Sequence, residues 1–165
     1  MVGSVGPRPQ DRAYFERIQF LARGFPIAVE EGVSEEVLAE AYGRASIYWH
    51  ATGYGESERR NPAGFEHFGV AAVEAMSAGA VPLVYDGGGL KETVQPSVSG
   101  FRWRGVQELR GRTWDLVRDA GLRARMSAAA RLRSREFSDE RFVREILGIV
   151  ESLDAGEPRG AAGAG

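Results

Sequence analysis

The sequence predicts an α/β protein with a parallel sheet, closed by a helical extension, and three observations predict it. Short apolar runs alternate with stretches of helical periodicity, the order expected of strands joined by crossover helices. The run Ala80 to Tyr85 is continuously hydrophobic, as a parallel strand buried on both faces is. Beyond Trp103 only helical periodicity remains. The chain has 165 residues, one domain's worth.

Taken in order, Tyr14, Phe15, Ile18, Leu21 and Ala22 stripe a helix over Asp11 to Arg23, which Gly24 ends. Ile27 to Val29 is a candidate strand. Ser34 caps the next helix, with Glu35 and Glu36 favoured in its first turn and Val37, Leu38 and Tyr42 as its buried stripe. Ile47 to His50 is the second candidate strand. Ala51 to Phe65 has no period and reads as a long loop. A helix of small and apolar residues follows over Gly69 to Ala78, closed by Gly79. The strand Ala80 to Tyr85 holds Pro82 near its start, where no ladder donor is needed. Gly87, Gly88 and Gly89 then turn the chain into a short helix from Leu90 to Val94, and Phe101 to Trp103 is the last strand. Three helices close the chain, about Gln107 to Asp119, Leu122 to Glu136 and Asp139 to Ser152; the Gly- and Ala-rich tail over 155–165 is expected to be disordered. In such a sheet, ligands meet the loops at the carboxyl ends of the strands, here after Val29, His50, Tyr85 and Trp103.

Composition removes several functions. With no cysteine there is no disulfide, thiol catalysis or Cys-based zinc site, and His50 and His67 are the only imidazoles. A net charge of −2 does not fit a nucleic-acid binder. No apolar run reaches the ~18 residues that span a bilayer, and the first residues lack a signal peptide's pattern, so the chain reads as cytoplasmic. Charge is uneven: Ala28 to Glu92 holds eleven acids against four bases, and Arg102 to Arg144 twelve arginines against six acids. Solvated helix faces explain the arginines; a peripheral contact with anionic lipid is the sharper alternative, but no Trp- or Phe-lined face accompanies them.

No Walker A loop is present, the glycine turn lacks the dinucleotide fingerprint, and no nucleophile elbow supports a hydrolase triad. The informative stretch is Glu66 to Gly79. Its helix carries one charge, Glu74, costly if buried unless paired or facing a ligand cleft. Its N-terminus directs the amides of Phe68, Gly69 and Val70 outward, where a phosphate suits the positive end of the helix dipole, and Gly69 admits a ligand close to the backbone. A phosphate there, with Glu66 before it and Glu74 two turns in, would line one crevice. The alternative is that Glu74 pairs with an arginine and Glu66 is an exposed capping acid.

Glu66 and Glu74, with His67-Phe68-Gly69 after the first and Ala75-Met76-Ser77-Ala78-Gly79 after the second, resemble the Glu-x7-Glu motif of retaining GT-B glycosyltransferases of family 4. Leu38 to His50 upstream, and Val81-Pro82-Leu83-Val84, Gly88-Gly89-Leu90-Lys91-Glu92 and Ser99-Gly100-Phe101 downstream, are similar to the same family, as are Leu122 to Ser138. The resemblance implies the Rossmann-like parallel sheet of a GT-B donor domain and transfer of a sugar, with retention, from a UDP- or GDP-sugar to an unknown acceptor, a glycan or a lipid-linked glycan. It implies that Glu66 reaches the donor hexose as the catalytic residue, that Glu74 accepts from the ribose hydroxyls, and that the backbone of Phe68, Gly69 and Val70 holds the diphosphate and sugar. His67, Gly88, Gly89 and Glu92 would stand beside the donor. His67 can instead orient the loop, the glycines make a turn, Glu92 cap a helix and His50 end a strand. No metal or cofactor is implied, the nucleotide sugar being the substrate.

The comparison also exposes a deficit. Such a transferase has an N-terminal acceptor domain and, in its donor domain, a first strand followed by basic residues that neutralise the diphosphate. Neither precedes Asp11; Val2 to Gly6 looks like only the end of a second strand, which would leave Ile27 to Val29 separated from the strands that follow. The sequence therefore predicts a partial donor domain over 1–154, its acceptor domain missing or supplied by another subunit. Two other readings stand beside catalysis: a nucleotide-sugar-binding module and a non-catalytic scaffold.

Overall fold

The computed structural model describes residues 1–3 and 5–154; the tail expected at 155–165 lies outside them. These residues form two compact units, Met1–Arg44 and Ala45 onward.

The first unit runs β1 (Val2–Gly3), α1 (Pro9–Ala22), β2 (Glu30–Glu31) and α2 (Glu35–Arg44). Pro9, free of any need for a donor at the first helical turn, starts α1 two residues earlier than the periodicity predicts. Arg8 and Asp11 close a reciprocal cap around that start. The strand expected at Ile27 to Val29 lies instead at Glu30–Glu31, where Val2 and Gly3 pair with it in parallel. The physical reason is register: Ile27 is drawn into a turn by its N–H bond to the Phe25 carbonyl, and the two-residue partner reaches only the next pair along. In α2, Ser34 accepts from the Val37 amide at 3.5 Å as a capping residue. Val37 itself is 43% exposed, outside the buried stripe expected of it, and no residue of α1 or α2 is buried.

The second unit carries the core. Its strands β3 (Ile47–His50), β4 (Val81–Tyr85) and β5 (Phe101–Trp103) are all parallel in the order β3-β4-β5, so β4, the most hydrophobic, is central. Pro82 sits opposite Tyr48 at the second position of β4. Between the strands lie α3 (Val70–Ala78) and α4 (Leu90–Thr93); α5 (Val106–Arg118), α6 (Ala120–Ser134) and α7 (Asp139–Asp154) follow. One cluster joins Ala72 and Met76 of α3 to Val84, Leu90, Val94 and Ala130. The other joins Val81 and Leu83 to Phe101, Trp103, Leu116 and Met126. Burying each large side chain is worth about 1.5–3 kcal/mol, which fixes the strand ends from which the loops depart. Asp119 ends α5, as expected, its amide donating to the Asp115 carbonyl at 3.0 Å, and also caps α6, accepting from the Leu122 amide at 2.7 Å. Among the described residues no helix is long and apolar enough to cross a membrane.

Candidate functional site

The site forms where the carboxyl ends of β3 and β4 release their loops. Gly69, buried and with φ +91°, turns the chain into α3, so the helix begins at Val70. That conformation disfavours any side chain, and a Cβ would lie 2.5 Å from Leu90 Cδ2. Gly69 therefore has a structural requirement of its own: Gly69→Val would strain the backbone as well as block a ligand. The Gly69 amide donates to Glu66 Oε1 at 3.2 Å. The open amides at the helix start are those of Val70 and Ala71, which have no acceptor among the described residues.

Glu74 lies one turn beyond Val70 on the same face of α3; both are exposed, while Ala72, Ala75 and Met76 on the other side are buried. The helix is therefore apolar but only half buried. No ion pair or side-chain hydrogen bond reaches the Glu74 carboxylate among the described residues, so the pairing with an arginine weighed from the sequence is not what holds it there.

Glu66 is held from two sides. Besides the Gly69 amide on Oε1, His50 Nε2 at the end of β3 stands 3.5 Å from Oε2. Burial holds the imidazole below its ordinary value of 6.5, because desolvation of the cation outweighs the pull of the Glu66 carboxylate. A base with a depressed folded value favours folding while it is neutral. Stability from His50 is therefore present above pH 6.5 and is lost as pH falls through the lowered folded value. Chemical denaturation as a function of pH should show this loss, and His50→Gln should flatten it.

The glycine turn packs against the Glu66 loop at backbone distance. The Gly89 amide donates to the Glu66 carbonyl at 2.9 Å, and a Cβ on Gly89 would lie 1.9 Å from the His67 carbonyl oxygen. Gly88, with φ +57°, has the Glu66 carbonyl oxygen 2.2 Å from where its Cβ would be. Phe68 is fixed through its carbonyl, which accepts from Thr93 Oγ1 at 2.9 Å, and through an edge-to-face contact with Phe137 at 5.5 Å. His67 is exposed. Glu92 turns its carbonyl to Arg133 Nη2 at 2.5 Å, and its carboxylate has no partner among the described residues. The structure thus gathers Glu66, Gly69, Gly88, Gly89 and His50 around one junction, with Glu74 on the adjoining helix face.

Glu58 also belongs to this junction, although its aperiodic loop gave no local pattern that could single it out. Its carboxylate accepts from the Gly88 amide at 3.1 Å and from Lys91 Nζ at 2.6 Å. Lys91 first, then the Gly88 amide, hold Glu58 below the usual carboxylate range. The Lys91 ammonium, on the helical turn that follows the glycines, is consequently already paired. No group of three or more acidic or histidine side chains gathers in a metal-binding arrangement among the described residues.

Known proteins share this arrangement of elements. Sucrose-phosphate synthase from Thermosynechococcus elongatus superposes with a TM-score of 0.72 at 23% identity, covering 94% of this chain and 38% of that one. Anabaena HepE in complex with UDP-glucose gives 0.70 at 21% identity, covering 92% of this chain and 40% of that one. These likenesses show the fold, the α/β parallel-sheet architecture of GT-B glycosyltransferases. In sequence, glycogen synthase of Desulfitobacterium hafniense is 38% identical over 88 residues, 52% of this chain and 16% of that protein. The chain thus spans well under half the length of these relatives. Residues 14–133, which run from α1 to the last turn of α6 and include the whole Glu66 junction, match the family described as glycosyl transferases group 1, and the chain belongs to that family.

Proposed function

We propose that the chain carries the donor-binding part of a retaining GT-B glycosyltransferase of family 4, taking a UDP- or GDP-sugar. The observation that carries this reading is the placement of the two acids around the start of α3. Glu66 accepts from the Gly69 amide at one oxygen and has His50 Nε2 3.5 Å from the other, and Glu74, unpaired among the described residues, follows one turn after the open amides of Val70 and Ala71. Glu66 meets the donor hexose, Glu74 accepts from ribose hydroxyls, and the helix-start amides meet the diphosphate, where the dipole favours negative charge. The fold shared with HepE in complex with UDP-glucose makes UDP-glucose the first donor to try. Titration calorimetry with UDP-glucose and GDP-glucose tests the reading; no heat from either favours the scaffold.

Transfer makes further demands. An acceptor must be held at near-attack distance from the anomeric carbon, and the leaving diphosphate needs positive charge as its own charge develops. Lys91 is engaged by Glu58, and a helix start contributes ~1 kcal/mol, or ~2 at best, toward an anion. The purified 165-residue chain is therefore expected to bind donor weakly and to form no glycoside. Product from any nucleotide sugar with a generic acceptor, followed by mass spectrometry, would overturn that expectation.

A further inference from the structure

We infer that His50 is a positioning residue for Glu66: its neutral imidazole, in the Nε2–H tautomer, holds the Glu66 carboxylate in the orientation that meets a sugar hydroxyl. The inference rests on the donor reading of Glu66 given above.

The two imidazole nitrogens have different surroundings. Nε2 stands 3.5 Å from Glu66 Oε2, whereas Nδ1 is buried and has no hydrogen-bond partner among the described residues. A neutral imidazole carries one N–H, and only at Nε2 does that proton find an acceptor. The side chain is 10% exposed. Val84 is its partner across β4, and the Tyr48 ring of its own strand lies 6.2 Å away. The Glu66 carboxylate acts on it, against the desolvation that favours the neutral ring. An apolar residue would fill this strand end without leaving a desolvated nitrogen, so space-filling does not account for a histidine here.

The consequence falls on Glu66. The Gly69 amide donates to Oε1 at 3.2 Å from the start of α3, and His50 Nε2 stands 3.5 Å from Oε2 at the end of β3, so two separate elements flank the carboxylate. A carboxylate has about four acceptor sites, and these anchors leave two for a ligand. The Glu66 side chain keeps 32% of its surface exposed, which leaves it within reach of one. Protonating His50 would strengthen its attraction to Glu66, but at the cost of a buried charge and of a second N–H, at Nδ1, with no acceptor among the described residues, so the strand end that carries the imidazole would be disturbed in acid.

The test uses the whole chain and has two independent readouts. Nitrogen-15 NMR of histidine-labelled protein resolves just His50 and His67, and exposed His67 serves as the internal reference. His50 is expected as the Nε2–H tautomer, titrating below the ordinary imidazole value of 6.5, and Glu66→Gln should lower its titration further by removing the carboxylate's pull. Calorimetry with UDP-glucose between about pH 5 and 8 then compares wild type, His50→Gln and His50→Leu. His50→Leu, if its circular dichroism is unchanged, should bind about tenfold more weakly. His50→Gln, which keeps a donor at the Nε2 position, should bind close to wild type at neutral pH and lose the decline that wild type shows in acid. An Nδ1–H tautomer, or a folded His50→Leu that binds as tightly as wild type, overturns the inference. Should His50→Leu unfold, the tautomer and the Gln pH profile decide. Should wild type bind neither UDP-glucose nor GDP-glucose, the donor reading fails, while the tautomer and the Glu66→Gln displacement still decide the His50–Glu66 tie.

Discussion

Gly89→Ala is expected to cost about 3 kcal/mol of stability and to abolish donor binding in the same variant. The backbone of Gly89 is ordinary, with φ −66° and ψ −15°, so conformational strain plays no part. The obstacle is steric. An added Cβ would stand 1.9 Å from the His67 carbonyl oxygen, 2.6 Å from its carbon and 3.1 Å from Phe68 Cα. All three are backbone or Cα atoms and no rotamer change relieves them. Relief requires the loop to part from the turn, which also breaks the 2.9 Å bond from the Gly89 amide to the Glu66 carbonyl and moves Glu66 off its anchors. Gly111→Ala is the control: it lies inside α5 with open space around it, and should stabilise by about 0.5–1 kcal/mol. Urea denaturation of both variants gives the comparison. A Gly89→Ala protein as stable as wild type would mean that the turn and the loop do not meet as closely as the structure has them.

The second large effect is expected at Glu74, and on binding alone. If its carboxylate accepts from ribose hydroxyls, Glu74→Gln weakens UDP-glucose binding by about 1.5–3 kcal/mol, the range for hydrogen bonds to a charged group. Stability should change by no more than about 0.5 kcal/mol, because the side chain is exposed and unpaired among the described residues. The pair of measurements separates Glu74 from Gly89, where folding and binding fail together. Unchanged affinity for UDP-glucose would make Glu74 a solvated helix residue and remove half of the support for the donor reading.

The elements that could be read from sequence are those whose cause is local. β4 follows from an unbroken apolar run, α3 from small and apolar residues closed by Gly79, and the Glu66 to Glu74 spacing from counting along the chain. What escaped depends on what a residue meets far along the chain. The position of β2 is set by its register with Val2 and Gly3, and the apolar run Ile27 to Val29 holds no information on where that partner ends. The glycines at 88 and 89 could be read as a turn, but the carbonyls that forbid a Cβ there belong to Glu66 and His67, more than twenty residues away. Glu58 clamps Gly88 and Lys91 from a loop without any period. The exposure of Val37 shows the same limit, since helical spacing names a face but not whether anything covers it.

Among the described residues β3 pairs with β4. Among the described residues the ladder ends at Ile47–His50, a strand of one β-branched and three aromatic residues with no proline or lysine, and Trp49 is 59% exposed beside it. The side chains of such a short strand alternate between the two faces of the sheet, so the pairing of β3 with β4 decides which face each one occupies. Because His50 is both the last residue of the strand and the neighbour of Glu66, a slip of β3 by one residue against β4 would carry the imidazole to the opposite face and away from the carboxylate.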